Sequence, residues 1–251
     1  MRALLIDVAR TVVPPRGDRH GPLPPLMLTL TVVTGVIDAV TYLGLGHVFV
    51  ANMTGNVVFL GFALAGATEL SVLASVVSLA AFLAGALAGG RLGVRLAAHR
   101  GRLLAVSTGI HAVLMAGATV TAVITDGGVN TDGGVNTAVR YALIVLLGLG
   151  MGMQNAVARR LGVPDLTTTV LTLTLTGLAA DSTRPGGAAP RPGRRVLSVL
   201  AMFLGALVGA LLVLHGQLAA ALGLALLLLL VTAVTTHRLS APDAHWAPPT
   251  S

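Results

Sequence analysis

Charge is nearly absent from eight stretches of this 251-residue chain, and that absence decides the solvent in which it can fold. The stretches are Leu26–Gly46, Thr54–Ala67, Leu70–Gly90, Leu103–Thr125, Ala138–Val157, Leu166–Ala180, Val196–His215 and Gln217–Thr236. Only 10% of residues are charged and 55% are hydrophobic, whereas a water-soluble domain carries about 25% charged residues. Such a chain cannot dress its surface for water, so that surface must meet a lipid bilayer. The expected fold is all-α, a polytopic transmembrane helix bundle with room for roughly six to eight spans.

Two of the stretches are short. A helix of about 14 residues covers only about 21 Å at 1.5 Å per residue, and a hydrocarbon core is about 30 Å thick. The second and sixth stretches therefore fall short of a crossing. Both also open on polar residues: Asn52, Thr54 and Asn56 in one, Asp165, Thr167, Thr168 and Thr169 in the other.

The arginines choose between two topologies. The net charge is +7 and all 16 basic residues are arginine, set in clusters between apolar runs. That is the pattern of cytoplasmic membrane loops, and it argues against nucleic acid as the partner. If all eight stretches cross, ten arginines share the side of the N-terminus and six lie opposite. If the second and sixth dip in and return, fifteen share one side and only Arg140 lies opposite. The positive-inside rule favours six spans plus two short re-entrant half-helices, with both termini in the cytoplasm. The alternative is eight helices, all spanning.

The chain also repeats itself. Gly35-Val-Ile-Asp38-Ala39 resembles Gly152-Met-Gln-Asn155-Ala156, 117 positions on. The polar stretch Asn52–Val57 falls where Leu166–Val170 falls in the second half, and Phe82-Leu-Ala-Gly85-Ala-Leu-Ala-Gly89 echoes Phe203-Leu-Gly205-Ala-Leu-Val-Gly209, one residue shorter. Three spans per half force the halves to face opposite ways, an inverted repeat of the kind transporters use. The expected organisation is a cytoplasmic Arg/Pro-rich tail at 1–25, read as flexible, and membrane repeat 1 at 26–125. An external loop at 126–137, membrane repeat 2 at 138–238 and a C-terminal tail at 239–251 complete it. The external loop carries the tandem hexapeptide Thr125-Asp-Gly-Gly-Val-Asn130 and Thr131-Asp-Gly-Gly-Val-Asn136. Its spacing is not that of a calcium-binding EF-hand loop.

A polar side chain at membrane depth needs a reason. Asp38 lies well inside the first stretch and shares a helix face with Gly35, Ala39 and Tyr42. It is either an ion- or proton-binding carboxylate or a cap on the neighbouring broken helix. Asn155 occupies the matching place in the second half. Asn52, Thr54, Asn56, Thr167 and Thr168 head the two short helices, where exposed N–H groups can meet a polar substrate or simply be capped. His111 falls near the middle of its span as a candidate proton relay with Asp38. The pairs Gly85/Gly89 and Gly205/Gly209 allow close helix approach, within one chain or between copies in a homo-oligomer.

No catalytic motif, P-loop or dinucleotide fingerprint is present, so the chain reads as a non-enzyme. With no cysteine there is no disulfide framework or cysteine metal site. The histidines show no metal-ligand spacing, and neither cofactor nor metal is expected.

Val33-Thr-Gly-Val-Ile-Asp-Ala39, Phe49-Val-Ala-Asn-Met-Thr-Gly-Asn56 and Gly152-Met-Gln-Asn-Ala156 with Thr167-Thr-Thr169 resemble the YoaK-like family of uncharacterised bacterial multi-pass membrane proteins. The resemblance covers roughly residues 25–238; the tandem hexapeptide departs from it. It implies a bacterial inner membrane location and a helical fold and supplies no substrate. The expected function is a small secondary transporter or channel-like permease for a small polar or ionic solute. The alternative is a non-transporting membrane scaffold or partner subunit.

Overall fold

The computed structural model describes residues 2–15, 17–125, 136–166, 172, 174–176, 192–240 and 246–247. Eight helices run through these residues: α1 Arg2–Val12, α2 Leu23–Gly44, α3 Met53–Leu64, α4 Val72–Arg95, α5 Arg100–Ile124, α6 Thr137–Leu161, α7 Pro192–Leu214 and α8 Leu218–Leu239. No strand occurs among the described residues. Six helices, α2 and α4 to α8, are long and apolar enough to cross a membrane. The 12 residues of α3 reach only about 18 Å at 1.5 Å per residue. The sixth stretch is described at Leu166, which is not helical, and at residues 172 and 174–176, which are. The tandem hexapeptide lies outside the described residues, apart from Thr125 and Asn136.

Local chemistry fixes the helix ends. Pro24 and Pro25 stand in the first turn of α2, where a missing N–H costs nothing. Ser71 caps α4 by accepting from Ala74 N at 3.2 Å, and Asn136 caps α6 by accepting from Ala138 N at 2.9 Å. Gly162 ends α6 in the left-handed conformation, at φ 60°. Helices α4 and α6 run past their apolar stretches into Arg95 and Arg159–Arg160, because arginines continue a helix as readily as leucines do.

The bundle is arranged around α2 and α6. Of their most apolar 18-residue windows 72% and 61% are buried, against 22–44% in the other four long helices. The outer helices turn large side chains outward, such as Leu83 and Leu87 of α4, Phe203 and Leu211 of α7, and Leu227 and Val234 of α8. A soluble protein could not carry such a surface, and lipid can.

Two seams hold the centre to the periphery, and they match contact for contact. A Cβ on Gly85 of α4 would strike the Leu149 carbonyl oxygen of α6, and one on Gly205 of α7 would strike that of Val32 of α2. One on Gly89 would lie 2.8 Å from Met153 O and 3.1 Å from Ala156 Cβ. One on Gly209 would lie 2.8 Å from Val36 O and 3.1 Å from Ala39 Cβ. From the central helices, Gly152 faces Phe82 O and Gly35 faces Met202 O. The structural register pairs Phe82 with Met202, not with Phe203 as the sequence echo suggested. Backbone approach at the glycines sets this register. Both glycine pairs are thus used inside one chain.

Both ends of the chain carry packed residues among those described. The flexible tail expected over residues 1–25 is instead, where described, packed: α1 lies on the start of α7, Thr11 is fully buried, and Asp7 Oδ2 accepts from Arg194 N at 3.2 Å. Gly193 makes room for this contact, since a Cβ there would lie 2.8 Å from Val8 N. The prolines act only after α1 has ended. In the C-terminal tail, Trp246 is 4% exposed against Gly21 and Gly101, and Ala247 O accepts from Arg100 N at 2.7 Å. A lone tryptophan in a proline-rich tail is thereby a packing anchor.

Candidate functional site

The loop from α2 to α3 is folded by polar side chains that three helices contribute. Gly46 and His47 turn the chain with φ of 88° and 56°. Leu45, Val48, Val50 and Ala51 are then buried, so the backbone polar groups beside them need partners within the protein. Asp38 of α2, 5% exposed, accepts from Ala51 N at 3.1 Å. Asn56 of α3, fully buried, accepts from Phe49 N at 2.9 Å and donates to Phe49 O at 2.6 Å and to Ser78 Oγ of α4 at 3.1 Å. The Ser78 hydroxyl in turn donates to Phe49 O. Tyr42 and Phe49 stack at 5.0 Å, and Phe49 and Phe59 at 5.7 Å.

This folded loop presents the start of α3 to a cavity of about 510 Å³. Its polar wall is Asn52, Thr54 and Thr172, with the backbone of Ala51 to Gly55; Met53, Val58, Phe59 and Phe82 form the apolar wall. Asn52 holds the N-cap position of α3, yet its side chain makes no capping bond. The expected capping by Asn52 is therefore not what the side chain does. Asn52 and Thr54 are exposed into this space. Thr172, from the short helical piece of the second half, brings the two short segments to one cavity.

The other expected site residues sort as follows. Asp38, Asn56 and Asn155 lie outside the cavity wall, and the first two serve the loop behind it. Asn155 Nδ2 donates to Met151 O at 2.9 Å, within its own helix. Thr167 and Thr168 lie outside the described residues. His111 faces α6, where a Cβ on Gly150 would lie 2.6 Å from its Nε2; Asp38 is committed to Ala51, so the two do not form a direct pair. Ser78 and Phe82 were not anticipated. Ser78 is one of three serines in an apolar run, with Ser71 and Ser75, and Phe82 carries no signal that separates it from a lipid-facing side chain. No group of three metal-ligating side chains occurs among the described residues.

The far end of α2 is sealed by a cationic cluster. Arg100, 5% exposed, donates to Leu161 O at 2.6 Å and Arg19 O at 3.4 Å, and its guanidinium lies 3.2 Å from His20 Nδ1. Burial, then the guanidinium groups of Arg100 and Arg19, push His20 down to about 4, so it is neutral at pH 7. Arg195 of α7 pairs at 2.8 Å with Asp165, which follows the end of α6.

The chain matches the family described as a protein of unknown function, DUF1275, over residues 26–235. It is 32% identical over 161 residues to the UPF0700 transmembrane protein YoaK of Bacillus subtilis (strain 168), a match covering 62% of this chain. The match spans 65% of that relative's length. No solved structure matches. Residues 26–235 take in all six long apolar helices and the α2–α3 loop, and on that match the chain belongs to the DUF1275 family of multi-pass membrane proteins.

Proposed function

We propose that the protein is a small secondary transporter or channel-like permease for a small polar or ionic solute, and not an enzyme. The carrying observation is the cavity of about 510 Å³ at the head of α3, which Thr172 also lines. Polar space at the start of a helix too short to cross is what a solute pathway requires, because irregular backbone at membrane depth is tolerated only where it is buried in protein or lines a cavity. In this reading Asn52 and Thr54 contact the solute, together with Thr167 and Thr168; Asn155, outside the cavity wall, does not. Asp38 and Asn56 hold the loop that shapes the cavity. The topology is six spans in a bacterial inner membrane with two re-entrant half-helices, an inverted repeat and both termini cytoplasmic. The matched glycine seams support the repeat, and the arginine distribution supports the orientation.

One observation favours the scaffold reading instead: Asp38 and Asn155 each bond backbone atoms close at hand. Flux in proteoliposomes separates the two. A permease moves at least one solute of a broad polar and ionic panel, and Val58→Trp, which fills the cavity from its apolar wall, stops that flux while the protein stays folded. No solute-dependent flux anywhere in the panel, with Val58→Trp and Asp38→Asn behaving as wild type in the cell, overturns it.

A further inference from the structure

A second polar site lies in the middle of the bundle, away from the cavity. His111 of α5 and Gln154 of α6 are 1% and 4% exposed and line one crevice with Leu30 of α2 and with Ser107 and Thr108. Neither ring nitrogen of His111 makes a well-formed hydrogen bond, nor does Oε1 of Gln154. His111 stands about 16 Å along its helix from Arg100, and Gln154 about 10 Å from Leu161, so both lie at hydrocarbon depth. Unpaired polar atoms are costly there.

The donors around the crevice are all turned away from it. Gln154 Nε2 donates to Thr34 Oγ1 at 3.1 Å and to Leu30 O at 3.4 Å, and the Thr34 hydroxyl donates to Leu30 O at 2.9 Å. Ser107 and Thr108 donate to Leu104 O at 3.0 and 2.6 Å. What remains is a set of acceptors: Gln154 Oε1, the oxygens of Ser107 and Thr108, and the imidazole. A neutral imidazole carries one N–H and one lone pair. Its N–H can satisfy one oxygen, which leaves its lone pair among acceptors. Protonation turns that second nitrogen into a donor. The crevice is too tight for a water-sized body, so a bare proton fits where a hydrated cation does not. Gly150 is required for this placement, because a Cβ there would lie 2.6 Å from His111 Nε2.

We propose that His111 and Gln154 form a proton-binding site in the middle of the bundle, the proton on the imidazole being held by Gln154 Oε1 and the hydroxyl oxygens of Ser107 and Thr108. The proton comes from bulk water and binds the ring's lone pair. Within the permease reading, on which this further step rests, it is the coupling ion. Among the described residues no other titratable side chain lines the crevice. On the packed helices the charged and titratable groups are Asp38 on α2, one turn beyond Thr34 and tied to Ala51, Tyr42 one turn further on, Arg91 and Arg95 late in α4, and Arg100 and Arg102 at the start of α5. Arg140 and Tyr141 open α6, Arg159 and Arg160 close it, and His237 and Arg238 close α8.

The test is nitrogen NMR of the full chain in lipid nanodiscs with ring-labelled histidine, His111 being assigned by the resonances lost in His111→Asn. As pH falls from 8 to 4.5, the His111 ring converts from a neutral tautomer to imidazolium. Gln154→Leu cuts the imidazolium fraction at a given pH several-fold. Gln154→Glu, which keeps the shape and adds a carboxylate, raises it several-fold. A wild-type ring that stays neutral throughout, or a transition that follows sodium concentration instead of pH, overturns the proposal. The measurement needs no solute: titration of His111 without flux in liposomes would remove the permease reading and leave the proton site standing.

Discussion

Adding one methyl group at Gly85 or at Gly205 should weaken the bundle by the same amount through two different seams. Each new Cβ meets a backbone carbonyl of the facing helix, Leu149 in one case and Val32 in the other, closer than non-bonded atoms approach. A flexible side chain could swing aside; a helix backbone cannot, so the paired helices must separate and lose contact along the seam. Overpacking of this kind costs about 1–3 kcal/mol. The seams share no residues, so Gly85→Ala with Gly205→Ala should cost the sum of the two within about 0.5 kcal/mol. Gly90→Ala is the internal control: it lies on α4, nothing stands within 4 Å of its Cβ, and alanine there is neutral or stabilising by up to about 1 kcal/mol. Reversible unfolding of the purified protein in mixed micelles, with loss of helical circular dichroism as readout, gives all four values. If Gly85→Ala and Gly205→Ala prove as stable as Gly90→Ala, the seams are not the close contacts described. If one is costly and the other is not, the two halves are not mechanically equivalent.

Three further outcomes are expected. Asp38→Asn keeps an acceptor for Ala51 N and should leave stability within about 1 kcal/mol of wild type, whereas Asp38→Ala orphans a buried N–H and should cost about 1–3 kcal/mol; equal melting of the two variants would refute the anchoring role. His20 takes up its proton less readily folded than unfolded, so its stabilising contribution is complete above about pH 6.5 and is lost as pH falls towards about 4. The melting temperature of wild type should therefore drop more steeply between pH 7 and 4.5 than that of His20→Gln, and identical slopes would count against it. Single cysteines at Ala67 and Asp181 in this cysteine-free chain test the topology: six spans make the first reactive from outside and the second from inside, while eight spans put both on the side of the N-terminus.

The six long helices were legible because lipid imposes a simple rule: about 20 apolar residues, with charge kept to the ends. The glycine echoes were legible for a related reason. Helix crossings this close leave no room for a Cβ, and Gly35, Gly85 and Gly89 meet backbone just as Gly152, Gly205 and Gly209 do. Asp38, Asn56 and His111 stood out for their depth, but depth did not reveal what each one touches. Asp38 and Asn56 proved to fold a loop, and Gln154 emerged as the group facing His111 only once α5 and α6 were packed together. The N-terminal helix was missed because prolines dominated the reading of the tail, although α1 ends before the first of them.

The sequence by itself thus determined the solvent and the number of long helices, since each follows from composition and spacing along one dimension. Only the tertiary structure decided which helices are central, which hydroxyl protons are already committed, and which polar side chains line a cavity instead of bracing it. Those are properties of contacts between distant segments. In a chain made mostly of alanine, leucine, valine and glycine, a buried face and a lipid-facing one are written in the same residues.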